Sequence, residues 1–486
     1  MAAGTHSDSR GRLLRRTVGT AVAVGVLLAV APTAMGADDD GVADAAGADS
    51  VPDGERWLLE VRGWSPVYRE PVARGPYRGM LLSGETVAIV ERLPPDRSCT
   101  REGWGRLEDG GWACLSRMRP SNEQPQDQPV LVAFDHPEPS EYLGYRENGS
   151  YPREPGDQVE LLLPFVYGKK WRRWRAPAWT SLDAWNRGHG PDGNLEGVTR
   201  YHFVKVHETP RGTVLQTGDG QYVPADQVYI YPVDRFSGRD LEQAPVPPGH
   251  RPAWVVAYEG VPIRSDPRAD APTMLRMPYH ASLDVDATPV DLGRSGQWWR
   301  IPDALGPDID GWVVAGSLGV RVWHPVSRPP EVGSTELWID VDRGEQILAV
   351  QRGDRPIYMT LVSTGEGARW ATPRGLYRIY DKSVYGDMRS RDDADEPYAV
   401  EAVPWVMHFK TRYALHGVFW HWGFGHPASH GCINLAPADA RWIFNHITPT
   451  LGKGWHTVYE TPSDPGTLIR VRRDSADVPD QRIELQ

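Results

Sequence analysis

A histidine-rich segment near the C-terminus contains one of the three cysteines of this 486-residue chain. From His416 to Leu435 the sequence reads HGVFWHWGFGHPASHGCINL, which includes four of the fifteen histidines. A thiol becomes a nucleophile when its thiolate is favoured and a neighbouring base accepts its proton. The segment therefore indicates cysteine chemistry, with Cys432 as the nucleophile and a histidine as its base.

His416 is the best candidate for that base. It ends the stretch YALHG, whose pattern predicts a strand and hence a rigid platform. The carbonyl group of Gly417 is accessible to hold the imidazole in one tautomer. Gly431 permits a tight turn that exposes the sulfur. We expect the amides of His430, Gly431 and Cys432 to point the same way, as an oxyanion hole requires.

The residues after Cys432 predict a helix. In APADARWIFNHI the apolar residues recur at helical spacing, Pro437 suits the first turn, and Asp439 favours its positive end. Because Cys432 lies just upstream of this N-terminus, we expect the helix dipole to stabilise the thiolate and lower the pKa of the cysteine.

The motif resembles the L,D-transpeptidase catalytic domain, also called the YkuD domain. The resemblance lies in His416-Gly417 followed, thirteen positions after His416, by SHGCIN (Ser429 to Asn434), with TPRG and PWVMHF as supporting elements. It covers about residues 335–462. It implies a mainly β fold with a short helix after the cysteine, no cofactor, and attack on the peptide stem of peptidoglycan.

The resemblance also implies roles for individual residues. Cys432 would be the nucleophile, His416 the general base, and the Gly417 carbonyl the group that orients it. The oxyanion and substrate-binding residues would be Ser429, His430, Gly431 and Asn434. The family motif does not require His421 and His426, which are candidate contacts for the acceptor substrate. Ordinary packing is the favoured alternative for these two histidines.

Three other interpretations of the segment stay open. Hydrolysis of the same acyl-enzyme would make the protein a peptidoglycan L,D-carboxypeptidase or endopeptidase. A non-catalytic wall-binding protein is a second class, which thioester formation with a carbapenem would discriminate. Zinc binding is a third, but Gly423, Gly425 and Pro427 interrupt the helix that would align the ligand types, and we predict no metal. Those ligand types are His416, His421, His426, His430 and Cys432.

The N-terminal residues predict export. Residues 1–36 combine four arginines, an apolar run from Val18 to Val30 too short to span a bilayer comfortably, and small residues near a cleavage point. We interpret them as a signal peptide, and no other segment approaches the length of a membrane span. The periplasm and the wider cell envelope are both consistent with this, and so are the general secretory and twin-arginine routes.

Charge and cysteine content fit an exported wall enzyme. The net charge is −11, and removal of residues 1–36 makes it more negative, which argues against nucleic acid as a partner. Disulfides persist outside the cytoplasm. Cys99 and Cys114 flank a stretch that looks like a β-hairpin, so we predict a disulfide between them.

The rest of the chain divides into small modules. PVYREP followed by GWGRL and GGWACLS resembles PIRSDP followed by QWWRI and DGWVVAGS, in the manner of bacterial SH3-like barrels. Whether they bind the wall or only space the catalytic domain stays open, as does the oligomeric state. The predicted modules are 55–120, 253–325 and, more elaborated, 158–235. The predicted linkers are 37–54, 121–157 and 236–252, and 463–486 is a polar tail.

The domain from residue 335 begins with a predicted meander. ELWIDVD, QILAVQ and PIYMTLVSTG alternate or run apolar between turns, as strands do. Ser383 to Pro397 is polar and lacks periodicity. An insertion of that kind between strands predicts a mobile lid.

Overall fold

The computed structural model describes residues 49–50, 56–126, 162–171, 176–316, 319–390 and 398–477. The expected signal peptide, most of the first linker and the end of the tail lie outside these ranges. The described chain is mainly β, as the sequence predicts. None of its helices has the length and apolar character needed to cross a bilayer.

The first module comprises residues 56–126. Its apolar core forms around Val61, Leu81 and Ile89, and Cys99 is joined to Cys114 in a disulfide. The predicted linker 37–54 ends in a short strand, β1, which pairs with β5. The strands are β1 Asp49–Ser50, β2 Trp57–Val61, β3 Ser65–Tyr68, β4 Tyr77–Leu81, β5 Thr86–Leu93, β6 Trp104–Leu107, β7 Trp112–Cys114 and β8 Met118–Pro120.

The middle module comprises residues 162–233. Its elements are β9 Val166–Lys170, β10 Pro177–Ala178, α1 Leu182–Asn186, β11 Gly193–Asn194, β12 Tyr201–Thr209, β13 Gly212–Thr217, β14 Tyr222–Pro224 and β15 Val228–Ile230. Five of the strands form a sheet in the order β14-β13-β12-β9-β15. The Ser181 hydroxyl caps α1 by accepting a hydrogen bond from the Ala184 amide.

The third module comprises residues 250–323, and β16 Arg239–Asp240 precedes it. Two sheets, ordered β20-β17-β24 and β19-β18-β23-β22-β21, enclose a core that includes Val255, Ile263 and Val313. The strands are β17 His250–Val255, β18 Val261–Arg264, β19 Thr273–Met277, β20 Ser282–Asp286, β21 Val290–Asp291, β22 Gln297–Ile301, β23 Gly311–Val314 and β24 Val320–Val322.

The C-terminal domain comprises residues 336–472. Its elements are β25 Leu337–Asp342, β26 Ile347–Arg352, β27 Arg355–Leu361, β28 Gly375–Arg378, β29 Asp381–Arg389, β30 Ala399–Lys410, β31 Tyr413–Gly417, β32 Ile433–Leu435, α2 Pro437–His446, β33 Trp455–Tyr459 and β34 Leu468–Arg472. One sheet is ordered β16-β27-β26-β25-β34-β28, and the other contains β32-β31-β30-β29-β33. Ile339, Leu415 and Ile443 share the core that links both sheets and α2.

The predicted polar tail is wrong over its first part. Strand β34 lies in the sheet, parallel to β25, with Asp340 opposite Arg470 and Asp342 opposite Arg472. Both faces of β25 are buried, so its alternating aspartates do not face solvent. In the sequence, the arginines of β34 are typical of a polar tail. In the fold, they neutralise carboxylates that lie more than a hundred positions earlier.

The first part of the predicted linker 236–252 is docked on the C-terminal domain. Strand β16 pairs with β27 as an edge strand of the C-terminal domain. Phe236 and Leu241 are buried against Met359 and Leu361. These two side chains anchor a segment whose proline and glycine content suggested a free connection.

The proposed lid is a strand over its described part. Residues Ser383 to Arg389 belong to β29, which pairs with both β30 and β33. Backbone pairing holds this strand while its polar side chains become more exposed toward its end. Residues 391–397 lie outside the described residues.

The three modules pack directly against the C-terminal domain. Strand β33 pairs with β4, and its Trp455 and Val458 enter the apolar core of the first module. The middle module contacts β30, where the Tyr167 hydroxyl donates to the Ala402 carbonyl at 2.6 Å. The third module contacts the loop between β31 and β32.

Candidate active site

Parallel pairing of β31 and β32 brings the predicted base, His416, near the residue that precedes β32, Cys432. Leu415 pairs with Ile433 and His416 with Asn434. Leu415 and Ile433 enter the apolar core, so His416 and Asn434 face the other way. Cys432 directly precedes β32, and extending the strand alternation by one residue predicts its side chain on that second face. Strand spacing and rise put the Cα atoms of His416 and Cys432 about 8 Å apart.

His416 is held in one tautomer. Its side chain is buried, and its Nδ1 lies 3.0 Å from the Gly417 carbonyl oxygen. Because a carbonyl only accepts, Nδ1 carries the hydrogen and Nε2 is left as the acceptor. Burial lowers the pKa of His416 to about 4; the Gly417 carbonyl opposes this shift and the charge of His408 adds to it. The ring is therefore neutral at physiological pH, with Nε2 free of hydrogen.

Cys432 is the free cysteine, and it is half-buried. Its Sγ lies 3.9 Å from the Arg412 carbonyl oxygen. Burial raises the pKa of the thiol, although a hydrogen bond from the Ala414 backbone opposes the shift. Cys432 therefore rests as a neutral thiol.

The expected effect of the helix on Cys432 is absent. Helix α2 begins at Pro437, and β32 separates it from the cysteine. A helix dipole acts within about its first turn, so it does not reach the sulfur. Asp439 does not sit exposed at the helix end either, because it is buried and accepts hydrogen bonds from Gly238 and Tyr358. Burial raises the pKa of Asp439 to about 6.

A hydrogen-bonded turn fixes the residues before Cys432. The Ser429 hydroxyl donates to the Cys432 carbonyl at 2.6 Å and accepts from the Gly431 amide at 3.0 Å. Gly431 has a φ of +123°, and a Cβ there would lie 2.6 Å from Tyr413 Cε1. The position therefore requires glycine. The Gly431 amide, expected in the oxyanion hole, is instead engaged inside the turn by the serine.

His421 joins the site through Asn434. Its Nε2 lies 2.9 Å from the Asn434 side-chain amide, and its Nδ1 accepts from the Gly423 amide at 3.3 Å. Burial lowers the pKa of His421 to about 4, and the nearby charges of His416 and Arg200 add to that shift. A second neutral imidazole thus lies beside the first.

His426 points away from this group. Its Nε2 lies 2.7 Å from the Val256 carbonyl oxygen, and its ring stacks on Tyr258 of the third module. The same module donates hydrogen bonds from Tyr279 to Phe424 and from Arg321 to Gly425. Here His426 has the packing role that the sequence analysis favoured. The third module anchors the β31–β32 loop.

Two aromatic residues that the sequence did not indicate border the cysteine. His430 is exposed, and its ring lies 4.7 Å from that of Trp370 and 5.5 Å from that of Tyr398. Burial raises the pKa of Tyr398, and the nearby Cys432 adds to the shift. Tyr398 directly precedes β30, and that position was its only sequence signal.

The middle module reaches the site through an arginine. The Arg200 guanidinium lies 5.3 Å from the ring centroid of Trp420, whose ring lies 6.0 Å from that of His416. Phe419 stacks on Tyr167 of the same module at 3.9 Å. No sequence signal linked position 200 to position 416.

The candidate zinc ligands do not converge on one point. His416 and His421 come together, whereas His426 contacts the third module and His430 faces solvent. Across the described ranges, no group of three or more His, Cys, Asp or Glu side chains is placed to hold a metal ion.

Comparison with protein families identifies this C-terminal domain. Residues 336–471 match the family model YkuD, the L,D-transpeptidase catalytic domain. These residues are a YkuD L,D-transpeptidase catalytic domain. The match extends past the predicted end at residue 462 and includes most of β34, in agreement with its place in the sheet.

Individual proteins are similar to this catalytic domain. YciB of Bacillus subtilis strain 168, which bears the name of an L,D-transpeptidase, is 27% identical over 136 residues, and the match covers 24% of this chain and 64% of YciB. The catalytic domain of an Enterococcus faecium L,D-transpeptidase is 20% identical, with 28% of this chain and 97% of that chain covered and a TM-score of 0.23. An L,D-transpeptidase from Mycobacterium smegmatis is 18% identical, with 45% and 99% covered and a TM-score of 0.24.

Proposed function

We propose that the protein is an exported cysteine L,D-transpeptidase that acts on peptidoglycan stem peptides through a thioester on Cys432. One observation carries the proposal. In a domain that matches this family, the Gly417 carbonyl holds His416 in one tautomer, and the parallel pairing of β31 with β32 supports a shared face for this imidazole and Cys432. The charge of the chain and the predicted signal peptide support a substrate outside the cytoplasm.

The first half-reaction forms the thioester. His416 Nε2 takes the proton of the Cys432 thiol as the sulfur attacks a carbonyl carbon of the stem peptide. The amides of His430 and Cys432 stabilise the oxyanion. The carbon–nitrogen bond then breaks, and the leaving D-amino acid takes the proton from His416. The acyl group remains on sulfur.

The second half-reaction transfers that acyl group. An acceptor amine, typically a diaminopimelate side chain in a neighbouring stem, attacks the thioester carbonyl and gives a proton to His416. The sulfur leaves and regains that proton. Water in place of the amine would give hydrolysis. His421 and Asn434, which lie beside His416, are suited to position the acceptor.

The site works from a neutral resting state. Burial raises the pKa of Cys432 and lowers that of His416, so the thiol keeps its proton until a substrate arrives. A thiol is less open than a thiolate to attack by oxidants in an exposed compartment. The aromatic rim around His430 is suited to cover the substrate and exclude water.

The preceding modules are proposed to be SH3-like barrels that form part of the enzyme's body. Trp455 in the core of the first module and the contacts of His426 with the third support a fixed arrangement. We propose that they frame the substrate groove, in addition to any contact with the wall.

Mass spectrometry with purified stem tetrapeptides tests the function. The mature protein should gain the mass of the peptide less its terminal D-residue, and Cys432→Ala should gain nothing. Added acceptor amine should convert the adduct to a cross-linked product. Release of free peptide with acceptor present would instead indicate a hydrolase. The absence of any adduct on Cys432 would contradict the proposal.

A further inference from the structure

The middle module supplies a positive charge beside the catalytic imidazoles. Arg200 lies just before β12, and its backbone is fixed against the start of β30. Its carbonyl accepts from the Glu401 amide at 3.2 Å, and its own amide donates to the Ala399 carbonyl at 3.3 Å. The guanidinium then extends over Trp420. The position of this charge is thus set by the contact between module and catalytic domain.

This charge has no counter-ion in the described part of the chain. None of the ion pairs found there includes Arg200, and the neighbouring carboxylate, Glu401, is paired with His202 at 2.9 Å. The polar neighbour of the guanidinium is the uncharged hydroxyl of Tyr231. The Nε of Arg200 is buried and lacks a hydrogen-bond partner. A buried donor without a partner is unfavourable, and a cation without a counter-ion among the described residues attracts negative charge, so the arrangement favours an anionic ligand.

This inference rests on the proposed function, and the proposed reaction indicates which anion Arg200 binds. The leaving nitrogen takes its proton from His416, so the leaving residue lies on the His416 side of the sulfur. In a C-terminal residue the carboxylate carbon lies about 2.5 Å beyond that nitrogen. Trp420 lies between His416 and Arg200 as a shared neighbour, 6.0 Å from the His416 ring and 5.3 Å from the guanidinium, and the charge of Arg200 also acts on His421. In the proposed reaction, the carboxylate of the leaving residue is the substrate anion nearest to His416 and therefore to this cation.

We propose that Arg200, held over Trp420, binds the C-terminal carboxylate of the residue that leaves the donor stem peptide. Arg200 is then a specificity residue that favours donors with a free C-terminus over longer or amidated ones. A guanidinium binds a carboxylate through paired hydrogen bonds, and its planar face stacks on an indole. The catalytic domain contributes the chemistry, and the middle module contributes the selection.

Acylation of matched donor peptides tests the assignment. The wild type should acylate from a stem tetrapeptide with a free C-terminus at least about tenfold faster, in kcat/KM, than from its C-terminal amide, the range for a hydrogen bond to a charged group. Arg200→Gln should bring the ratio close to one, and Arg200→Lys should restore part of it. Lys205→Gln removes an exposed positive charge from the same module and should leave the ratio unchanged.

A third donor identifies the source of the carboxylate. In this peptide the C-terminus is free and a side-chain carboxylate of the stem is amidated. It should behave like the unmodified donor. If the side-chain amide removes the preference and the C-terminal amide does not, the assignment to the leaving residue is wrong. An acid-to-amide ratio that is the same in the wild type and Arg200→Gln overturns the subsite itself.

A binding measurement separates this proposal from the proposed function. Cys432→Ala cannot form a thioester, so calorimetry on it reports recognition alone. It should bind the acid donor more tightly than the amide, and the double variant with Arg200→Gln should not discriminate. If the wild type forms no adduct but this preference is present, the transpeptidase assignment fails and the subsite stands. Equal binding of acid and amide by Cys432→Ala overturns the subsite even if adducts form.

Discussion

Two parallel strand pairs in the catalytic domain bury polar groups in opposite ways. In β25/β34, aspartates lie directly opposite arginines. In β31/β32, His416 lies opposite Asn434, and Cys432 lies two residues before Asn434 in the chain. Both pairs face a water-poor interior. The first pair holds charges, and the second holds groups that stay neutral.

The difference follows from the side chains that face each other across each strand pair. Asp340 accepts from Arg470 at 2.7 Å and from Arg472 at 2.8 Å. Burial opposes the charge of Arg472, but Asp340 and Asp342 outweigh it and raise its pKa. Among the described residues no such opposite charge acts on His416 or Cys432, so burial moves both pKa values toward the neutral forms.

The comparison assigns a separate task to each pair. Charges that are paired at hydrogen-bond distance fix the register of the two β-strands. Neither partner is easily replaced, because removal of one leaves the other as an unpaired buried charge. In the proposed mechanism, the neutral thiol and imidazole exchange a proton when a substrate binds. Paired charges therefore stabilise the β25/β34 scaffold, whereas the β31/β32 pair carries neutral groups.

The largest expected effect is on the reactive face. Cys432→Ala should lower acyl-enzyme formation by at least about a thousandfold, the scale for loss of a catalytic nucleophile. The melting temperature should change little, because the half-buried side chain contributes little packing. Turnover within tenfold of wild type would remove Cys432 from the role of nucleophile.

On the scaffold pair, the expected effect is on stability. Asp340→Ala leaves two buried arginines without their shared carboxylate and should lower the free energy of unfolding by about 3–5 kcal/mol. Denaturant titration measures this. Asp354→Ala is the matched control, because its side chain is 72% exposed in its pair with Arg328. It should cost less than about 1 kcal/mol. Similar losses for both variants would contradict the contrast.

His416→Ala should slow acylation by a carbapenem at neutral pH by about a hundredfold or more, the range for a general base. His426→Ala is the control, because His426 contacts the Val256 carbonyl of the third module. His421→Ala should also leave acylation nearly intact, although it is expected to impair use of the acceptor. A larger loss in His426→Ala or His421→Ala than in His416→Ala would mean that the base has been assigned wrongly.

The neutral state of the cysteine can be measured in the free enzyme. Because burial raises the pKa of Cys432 above the usual 9.0, alkylation by iodoacetamide should be slow at pH 7 and rise only in the alkaline range. With Cys99 and Cys114 joined, the native protein should titrate as one thiol. A rate that is already on a plateau between pH 5 and 7 would indicate a preformed ion pair instead.

A smaller effect concerns the acid side of the reaction. The base must be neutral to accept a proton, and burial lowers the pKa of His416 to about 4. The rate of acylation should therefore stay constant from neutral pH down to about 5 and should fall as the pH drops through about 4. His416→Ala should lack this limb. A limb near the ordinary pKa of histidine, about 6.5, would place the base in solvent.

Local sequence determined much of the catalytic domain. Alternation and turn residues predicted β25, β26, β27 and β31, and helical spacing predicted α2, because neighbours along the chain decide which face of an element is apolar. The spacing of His416 and SHGCIN indicated the chemistry, since a cysteine, a base and a tight glycine turn are needed close together. Those features are encoded within about twenty residues.

Only the tertiary structure decided the rest. The arginines of β34 read as a polar tail because their carboxylate partners lie on β25, far along the chain. The thiol was expected to ionise from its proximity to a helix in sequence, but β32 intervenes and burial acts in the opposite direction. Arg200 reaches the site through the pairing of two domains. Burial, long-range charge pairing and domain contacts depend on residues that are distant in the chain, so no local pattern records them.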